Sequence, residues 1–420
     1  MESAFVIQLF LALGVIIAGA QLSGAAARAI GQPRVFGELL AGVVLGPTLL
    51  DMLGWSVFDD PEQLEHIIAD LAELGVLFLM FTVGLEVHLR ELLSVGNVAV
   101  WGGVIGGMLP LLIGIPTMML FDYSAETGVF VGVALAATSV SISAQTLLEL
   151  GVLRTKEGIG LLAAAVVDDV LAILLLSIAI ATLGSSAENA SALDLAWILV
   201  RMMLYLGGAL AIAWTVLPRL FNWLHHQREL ARSVASFGLV AAMIFGWSAD
   251  YLGGIAAITG AFIAGMGLSQ THESIREEIE SAVQHISYAF LVPVFFVSVG
   301  LQTDLTAIES RLLPLAGVML IAAVVAKVAG SGLGAYIGGF TRGESVRLGI
   351  CMISRGEVGL IIASLGLTSG LLSNELFQPV FLVILLTTVL TPPLVRYAFR
   401  TKMAEQESLV AAEQVQSHSD

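Results

Sequence analysis

The sequence predicts an all-α polytopic membrane protein with about thirteen transmembrane helices, arranged as two inverted six-helix repeats with crossed, partly unwound helices. Three observations carry that prediction. Hydrophobic residues make up 57% of the 420-residue chain and charged residues only 12%, against about 25% charged in ordinary soluble domains. Apolar runs long enough to cross a hydrocarbon core recur from one end to the other. The basic residues gather in alternate connections between those runs, as membrane topology requires.

The first run, 4–30, follows an acidic Glu2 rather than a basic segment, so it reads as the first helix and not as a cleaved signal peptide. Runs at 34–53, 64–84, 95–121, 128–150 and 158–183 complete a first half. A seventh run, 192–218, joins it to a second half at 230–249, 252–270, 284–302, 312–339, 345–371 and 376–398. Only Asp250 and Tyr251 separate the eighth run from the ninth. The 44 glycines suit close helix packing in lipid. The single cysteine, Cys351, excludes an intrachain disulfide. The polar tail, 401–420, reads as a short disordered cytoplasmic segment with no soluble regulatory domain after it.

Fourteen of the 18 Lys and Arg residues fall in one set of connections: Arg28, Arg34, Arg90, Arg154, Lys156, Arg219, Arg228, Arg232, Arg276, Arg342, Arg347, Arg396, Arg400 and Lys402. The other set holds Arg311 and many acids, among them Asp51, Asp59, Asp60, Glu62, Asp122, Glu126, Glu188, Asp194 and Asp304. The positive-inside rule then puts the N-terminus outside and the C-terminus in the cytoplasm. A net charge of −16 therefore describes the outer connections more than any cationic partner, and nucleic acid is not an expected partner.

Arg201, Lys327 and Arg355 lie within runs, and so do Asp168 and Asp169, in the middle of Gly158–Leu183. An ionisable residue near the midplane costs about 2.5–3.5 kcal/mol on an insertion scale, so a neighbouring pair points to ion or proton movement. Successive helical residues diverge by about 100°, so the two aspartates cannot both face one partner. Lys327 is the natural partner for one of them, on a helix where Gly330, Gly334 and Gly338 allow close approach. Carboxylate and hydroxyl oxygens are hard ligands suited to Na⁺ or Li⁺, and paired carboxylates also retain protons, so one site can exchange the two. The bland alternative is a structural Asp–Lys pair with an idle second aspartate.

Two runs in equivalent places carry polar interruptions: Thr138-Ser139-Val140-Ser141-Ile142-Ser143 and Ser354-Arg355-Gly356-Glu357-Val358-Gly359. Such segments unwind where protein, not lipid, surrounds them. Ordinary interhelical hydrogen bonding is the competing explanation for the first. Arg355 and Glu357 are read as support for a helix crossing rather than as ion ligands. Glu38 and Glu86 lie near span ends and read as interfacial; His66, His88, His225, His226, His272, His285 and His418 read mostly as solvated loop residues.

The segments ATSVSISAQTLLELGVL and AAAVVDDV, Lys327 with its glycines, and SRGEVGLIIASLGL closely resemble the monovalent cation:proton antiporters. Within them the chain is similar to the NapA-type bacterial Na⁺/H⁺ antiporters of the antiporter-2 family, and GELLAGVVLGP (37–47) and ELGVLFLMFTVGLE (73–86) extend the likeness over nearly the whole chain. The resemblance implies an NhaA/NapA-like fold with panel or dimerising helices at 1–94 and 229–303, core transport helices at 95–183 and 304–400, and a linker helix at 184–228. It implies that Asp169 is the principal ion- and proton-binding carboxylate, that Asp168 pairs with Lys327, and that Thr138 and Ser139 lie at the unwound crossing. Asp169, Asp168 and Thr138 would then contact the transported Na⁺.

Also implied are a homodimer in the lipid of a bacterial inner membrane, electrogenic exchange of monovalent cations and protons, an elevator-like motion, and no cofactor. The potassium-efflux branch typically has Gln-Asp where this chain has Asp-Asp, which favours Na⁺ over K⁺. K⁺/H⁺ exchange and a sodium-coupled organic-anion symporter remain the alternatives. An intramembrane aspartyl protease would need aspartates from separate helices, and a midplane lysine opposes a cation channel, so a non-enzyme transporter is expected.

Overall fold

A computed structural model describes residues 2–87, 94–183, 192–227, 233–302, 310–356, 358–359, 362–363, 366 and 372–417. Glu357, His88, Arg90, Glu188, Arg228, Arg232, Asp304 and His418 lie outside the described residues. Among those described, every regular element is helical. In chain order they are α1 (Glu2–Ala29), α2 (Arg34–Leu45), α3 (Pro61–Glu86), α4 (Gly96–Met119), α5 (Ala125–Ala136), α6 (Val140–Glu149), α7 (Lys156–Leu183), α8 (Ala192–Thr215), α9 (Leu217–His226), α10 (Val234–Ser248), α11 (Ala257–Leu268), α12 (Glu273–Ile286), α13 (Val292–Leu301), α14 (Leu313–Ile337), α15 (Arg342–Cys351) and α16 (Asn374–Ser417).

Ten described helical stretches are long and apolar enough to cross a membrane. The expected runs 34–53, 252–270 and 345–371 are not among them; α2 and α11 have 12 residues each and α15 has 10. Gly46-Pro47 explains the first of these, because a residue before proline is pushed out of helical geometry. Two other boundaries differ from expectation. α12 runs through a π-turn, Ser287–Leu291, straight into α13, so one helical stretch begins well before 284. α16 continues past 398 to Ser417, through the tail read above as disordered. That tail is rich in Ala, Glu and Gln, good helix formers that extend an existing helix without a nucleation cost.

Side-chain caps start several helices. Asp60 accepts from the Gln63 amide ahead of α3, Ser124 from the Thr127 amide ahead of α5, and Thr341 and Glu344 form a reciprocal capping box on α15.

The helices pack in two groups. α4 packs on α5, α7 and α14, and α14 continues to α15 and α16. α3 packs on α11 and α13, with α1 and α2 against α13 and α10 against α11. α8 touches both groups, through α7 and α11. Glycines set the tightest contact within the first group. A Cβ on Gly334 would overlap the Trp101 carbonyl, and Gly330 and Gly338 on the same face lie against Ile105 and Val98. Along that seam α14 is drawn onto α4, which fixes the depth of Lys327 one turn earlier.

Candidate functional site

α5 stops at Ala136 and α6 restarts at Val140, leaving 137–139 non-helical; the chain after α15 is likewise non-helical over 353–356. These two breaks touch. The Ser139 amide donates to the Ser354 carbonyl at 2.9 Å, and the Ser143 hydroxyl donates to the Cys351 carbonyl at 2.6 Å. A Cβ on Gly356 would sit 2.7 Å from Ser139 Oγ, so the approach itself requires glycine. Ser139 and Ser141 share a hydrogen bond of 3.1 Å. Thr138 Oγ1 and Ser354 Oγ are buried and have no hydrogen-bond partner among the described residues.

Arg355, fully buried, supplies what the broken helices lack. Its guanidinium donates to the carbonyls of Leu135 at 2.8 Å, Ile353 at 2.7 Å and Ala323 at 3.0 Å. A planar fork with five N–H donors suits the Leu135 and Ile353 carbonyls, which lie at the breaks, and reaches in addition the Ala323 carbonyl of the unbroken α14. The Arg355 carbonyl in turn accepts from the Thr388 hydroxyl of α16.

α7 passes beside this crossing and carries both aspartates. Asp168 faces α14: Lys327 Nζ donates to its Oδ1 at 2.9 Å and its Oδ2 at 3.1 Å, with Lys327 at 0% and Asp168 at 1% exposure. The cost of burying either charge alone is offset by the other. Asp169 turns away, as the helical period demands, toward a cavity of about 20 Å³ lined by Met80, Val140, Leu162, Val166, Thr259 and Phe262, among others. That volume suits one water-sized occupant. The Thr259 hydroxyl of α11 donates to Asp169 Oδ2 at 3.0 Å.

The structure thus brings Asp168 to Lys327 and Ser139 to Ser354. It brings Val140, rather than Thr138 or Ser139, to the cavity at Asp169. Thr259 was not among the residues singled out from sequence, because one threonine in the run AITGAFIAG carries no local signal.

Other acids form a separate cluster at the helix ends. Glu38, 2% exposed, pairs with Arg34 at 2.6 Å, and the Arg34 amide donates to Glu149 Oε2 at 2.6 Å. Gln145 donates to Glu149 at 3.1 Å and accepts from the Tyr288 hydroxyl at 3.1 Å. Glu38, read as interfacial, is therefore a buried ion-pair member. Its partner Arg34 is four residues earlier on the same helix, a spacing visible in the sequence.

A bundle of membrane-length helices with a buried lysine–aspartate pair and a second aspartate facing a cavity beside two touching helix breaks defines the class of helical membrane transport proteins. The sequence profile described as "Sodium/hydrogen exchanger, transmembrane" matches residues 12–397. The chain belongs to that family. It is 36% identical over 395 residues to the Na⁺/H⁺-K⁺ antiporter GerN of Bacillus cereus, covering 94% of this chain and 97% of that protein. It is 34% identical over 386 residues to a Na⁺/H⁺ antiporter of Enterococcus hirae, covering 92% and 96%. The fold is that of the sodium proton antiporter MjNhaP1 from Methanocaldococcus jannaschii, with a TM-score of 0.69 at 18% identity over 95% of this chain and 98% of the other.

Proposed function

We propose that this chain exchanges Na⁺ or Li⁺ for H⁺ by competitive binding at Asp169. The carrying observation is the division of labour between neighbouring aspartates: both Asp168 oxygens are engaged by Lys327, while Asp169 faces a cavity. A carboxylate in a small, otherwise apolar cavity holds a proton or a metal cation in turn. Thr138, with its buried unpartnered hydroxyl at the crossing, and Ser139 are candidate additional oxygens. Asp168 acts as counter-charge to Lys327, and Arg355 holds the crossing in shape. The antiporter names of the Bacillus and Enterococcus relatives support this reading. The cavity of about 20 Å³ supports an ion over an organic solute.

In this reading helices 95–183 and 304–400 form a mobile core, 1–94 and 229–303 a dimerising panel, and 184–228 the link. The two packing groups described above support that division. The core slides against the panel, carrying Asp169 between the two sides in an elevator-like motion. Exchange is electrogenic, with more protons than metal cations moved per cycle. The protein is a homodimer of a bacterial inner membrane, N-terminus outside and C-terminus cytoplasmic. The name of the Bacillus relative includes K⁺, so K⁺ belongs in the test.

The test uses purified protein in liposomes with a lumenal pH dye, challenged with Na⁺, Li⁺ or K⁺. Wild type is expected to give a cation-evoked pH change that Asp169→Asn abolishes while it still folds and reconstitutes. Wild-type exchange in Asp169→Asn refutes the assignment.

A further inference from the structure

The hydrogen bond between Thr259 and Asp169 joins the two packing groups at the cavity. Asp169 rides on α7, which packs on α4, α5 and α15; Thr259 rides on α11, which packs on α3, α10 and α8. Thr259 is 5% exposed and Asp169 is 9% exposed, so water competes little for this contact. Thr259 lies in the first turn of α11, at the helix end whose dipole carries a partial positive charge that suits a neighbouring carboxylate. The rest of the cavity lining consists of Met80, Val140, Leu162, Ala165, Val166, Ile258 and Phe262, so Thr259 is its one side-chain hydroxyl.

We propose that Thr259 is a positioning residue that latches Asp169 in a cation-excluding arrangement, its hydroxyl and the incoming cation competing for Asp169 Oδ2. The proposal rests on the reading of Asp169 as the ion carrier. A Na⁺ ion replaces a hydration shell with several oxygen ligands, and this apolar cavity offers few. For the ion to bind, Oδ2 must be released from the hydroxyl, and that release also removes a polar tie between α7 and α11. Binding of the cation and freeing of the core from the panel are then one event. A donor that stays behind on α11 when α7 moves serves the empty carrier, not the loaded one.

Thr259→Val keeps the shape and removes the donor; Thr259→Ser keeps the donor. In the liposome assay at fixed pH, the apparent KM for Na⁺ is expected to fall roughly 3–10-fold in Thr259→Val, the net worth of one hydrogen bond. It should stay near wild type in Thr259→Ser. The Na⁺ concentration giving half-maximal thermal stabilisation of the detergent-solubilised protein should fall by the same factor, which a purely structural role would not produce. An unchanged KM, or a loss of kcat alone, overturns the latch. A raised KM overturns it too and makes Thr259 a cation ligand. If Thr259→Val fails to accumulate, Thr259→Ala makes the same comparison. Asp169→Asn in parallel separates the two claims: retained exchange there removes the carrier reading, while a dead Asp169→Asn with an unmoved Thr259→Val KM removes the latch alone.

Discussion

Replacing Lys327 by methionine keeps most of the buried volume and deletes one charge of the pair with Asp168. Two bonds of 2.9 and 3.1 Å are lost, and Asp168, at 1% exposure, is left facing α14 without its ammonium. Removing one partner of a buried pair costs about 3–5 kcal/mol, because the survivor remains desolvated. Methionine leaves little cavity, so the packing share of the loss stays below about 1.5 kcal/mol and the electrostatic share dominates. Asp168→Asn with Lys327→Met has no stranded charge and should recover most of the deficit.

The assay is heat challenge of the four proteins of this cycle in detergent, followed by size-exclusion chromatography. Lys327→Met is expected to melt several degrees below wild type and the double variant to lie between them. Strict additivity of the two single substitutions, or a Lys327→Met protein as heat-stable as wild type, would refute the ion-pair account.

Arg355→Gln strands up to two buried carbonyls at the crossing, those of Leu135 and Ile353, each worth about 1–3 kcal/mol, and should lower the melting temperature more than Arg355→Lys, which keeps a donor but not the fork. Equal melting of Arg355→Gln and wild type would remove the carbonyl-bridging role. Glu344, in the connection before the run 345–371, titrates below the ordinary carboxylate value of 4.5, chiefly because the Thr341 amide donates to it. A depressed folded pKa gives stability that is present above pH 4.5 and lost as pH falls through the lower folded value. The melting-temperature gap between wild type and Glu344→Gln should therefore be constant at neutral pH and shrink on acidification below 4.5; a gap that widens with acid contradicts the sign.

What is legible in the sequence is what costs free energy in lipid. Lys327 and one of the two aspartates declare each other because neither charge is tolerable alone in an apolar run, and the 100° step sends the other aspartate elsewhere; that Asp168 is the partner and Asp169 the other comes from the family resemblance. The breaks at 137–139 and 353–356 are visible as hydroxyls and glycine inside apolar runs. Thr259 is illegible, since a threonine is unremarkable in a membrane helix until another helix sets a carboxylate beside it. The lengths of α2 and α16 are missed for local reasons: Gly46-Pro47 punctuates a run that hydropathy alone carries to 53, and hydropathy says nothing about a polar helix continuing beyond 398.

Arg355 bears on how the chain is assembled as well as on how it rests. Its guanidinium reaches the Leu135 carbonyl from 220 residues further along the chain. During synthesis the first break therefore waits, with an open carbonyl at membrane depth, until most of the second half has emerged and inserted. An unsatisfied backbone group is costly in hydrocarbon, so the early half gains from remaining near water, the insertion machinery or a substitute donor during that interval. The same residue that closes the crossing thus sets a late checkpoint in biogenesis: chains cut short before Arg355 should be poorer substrates for stable insertion than their apolar content alone would suggest.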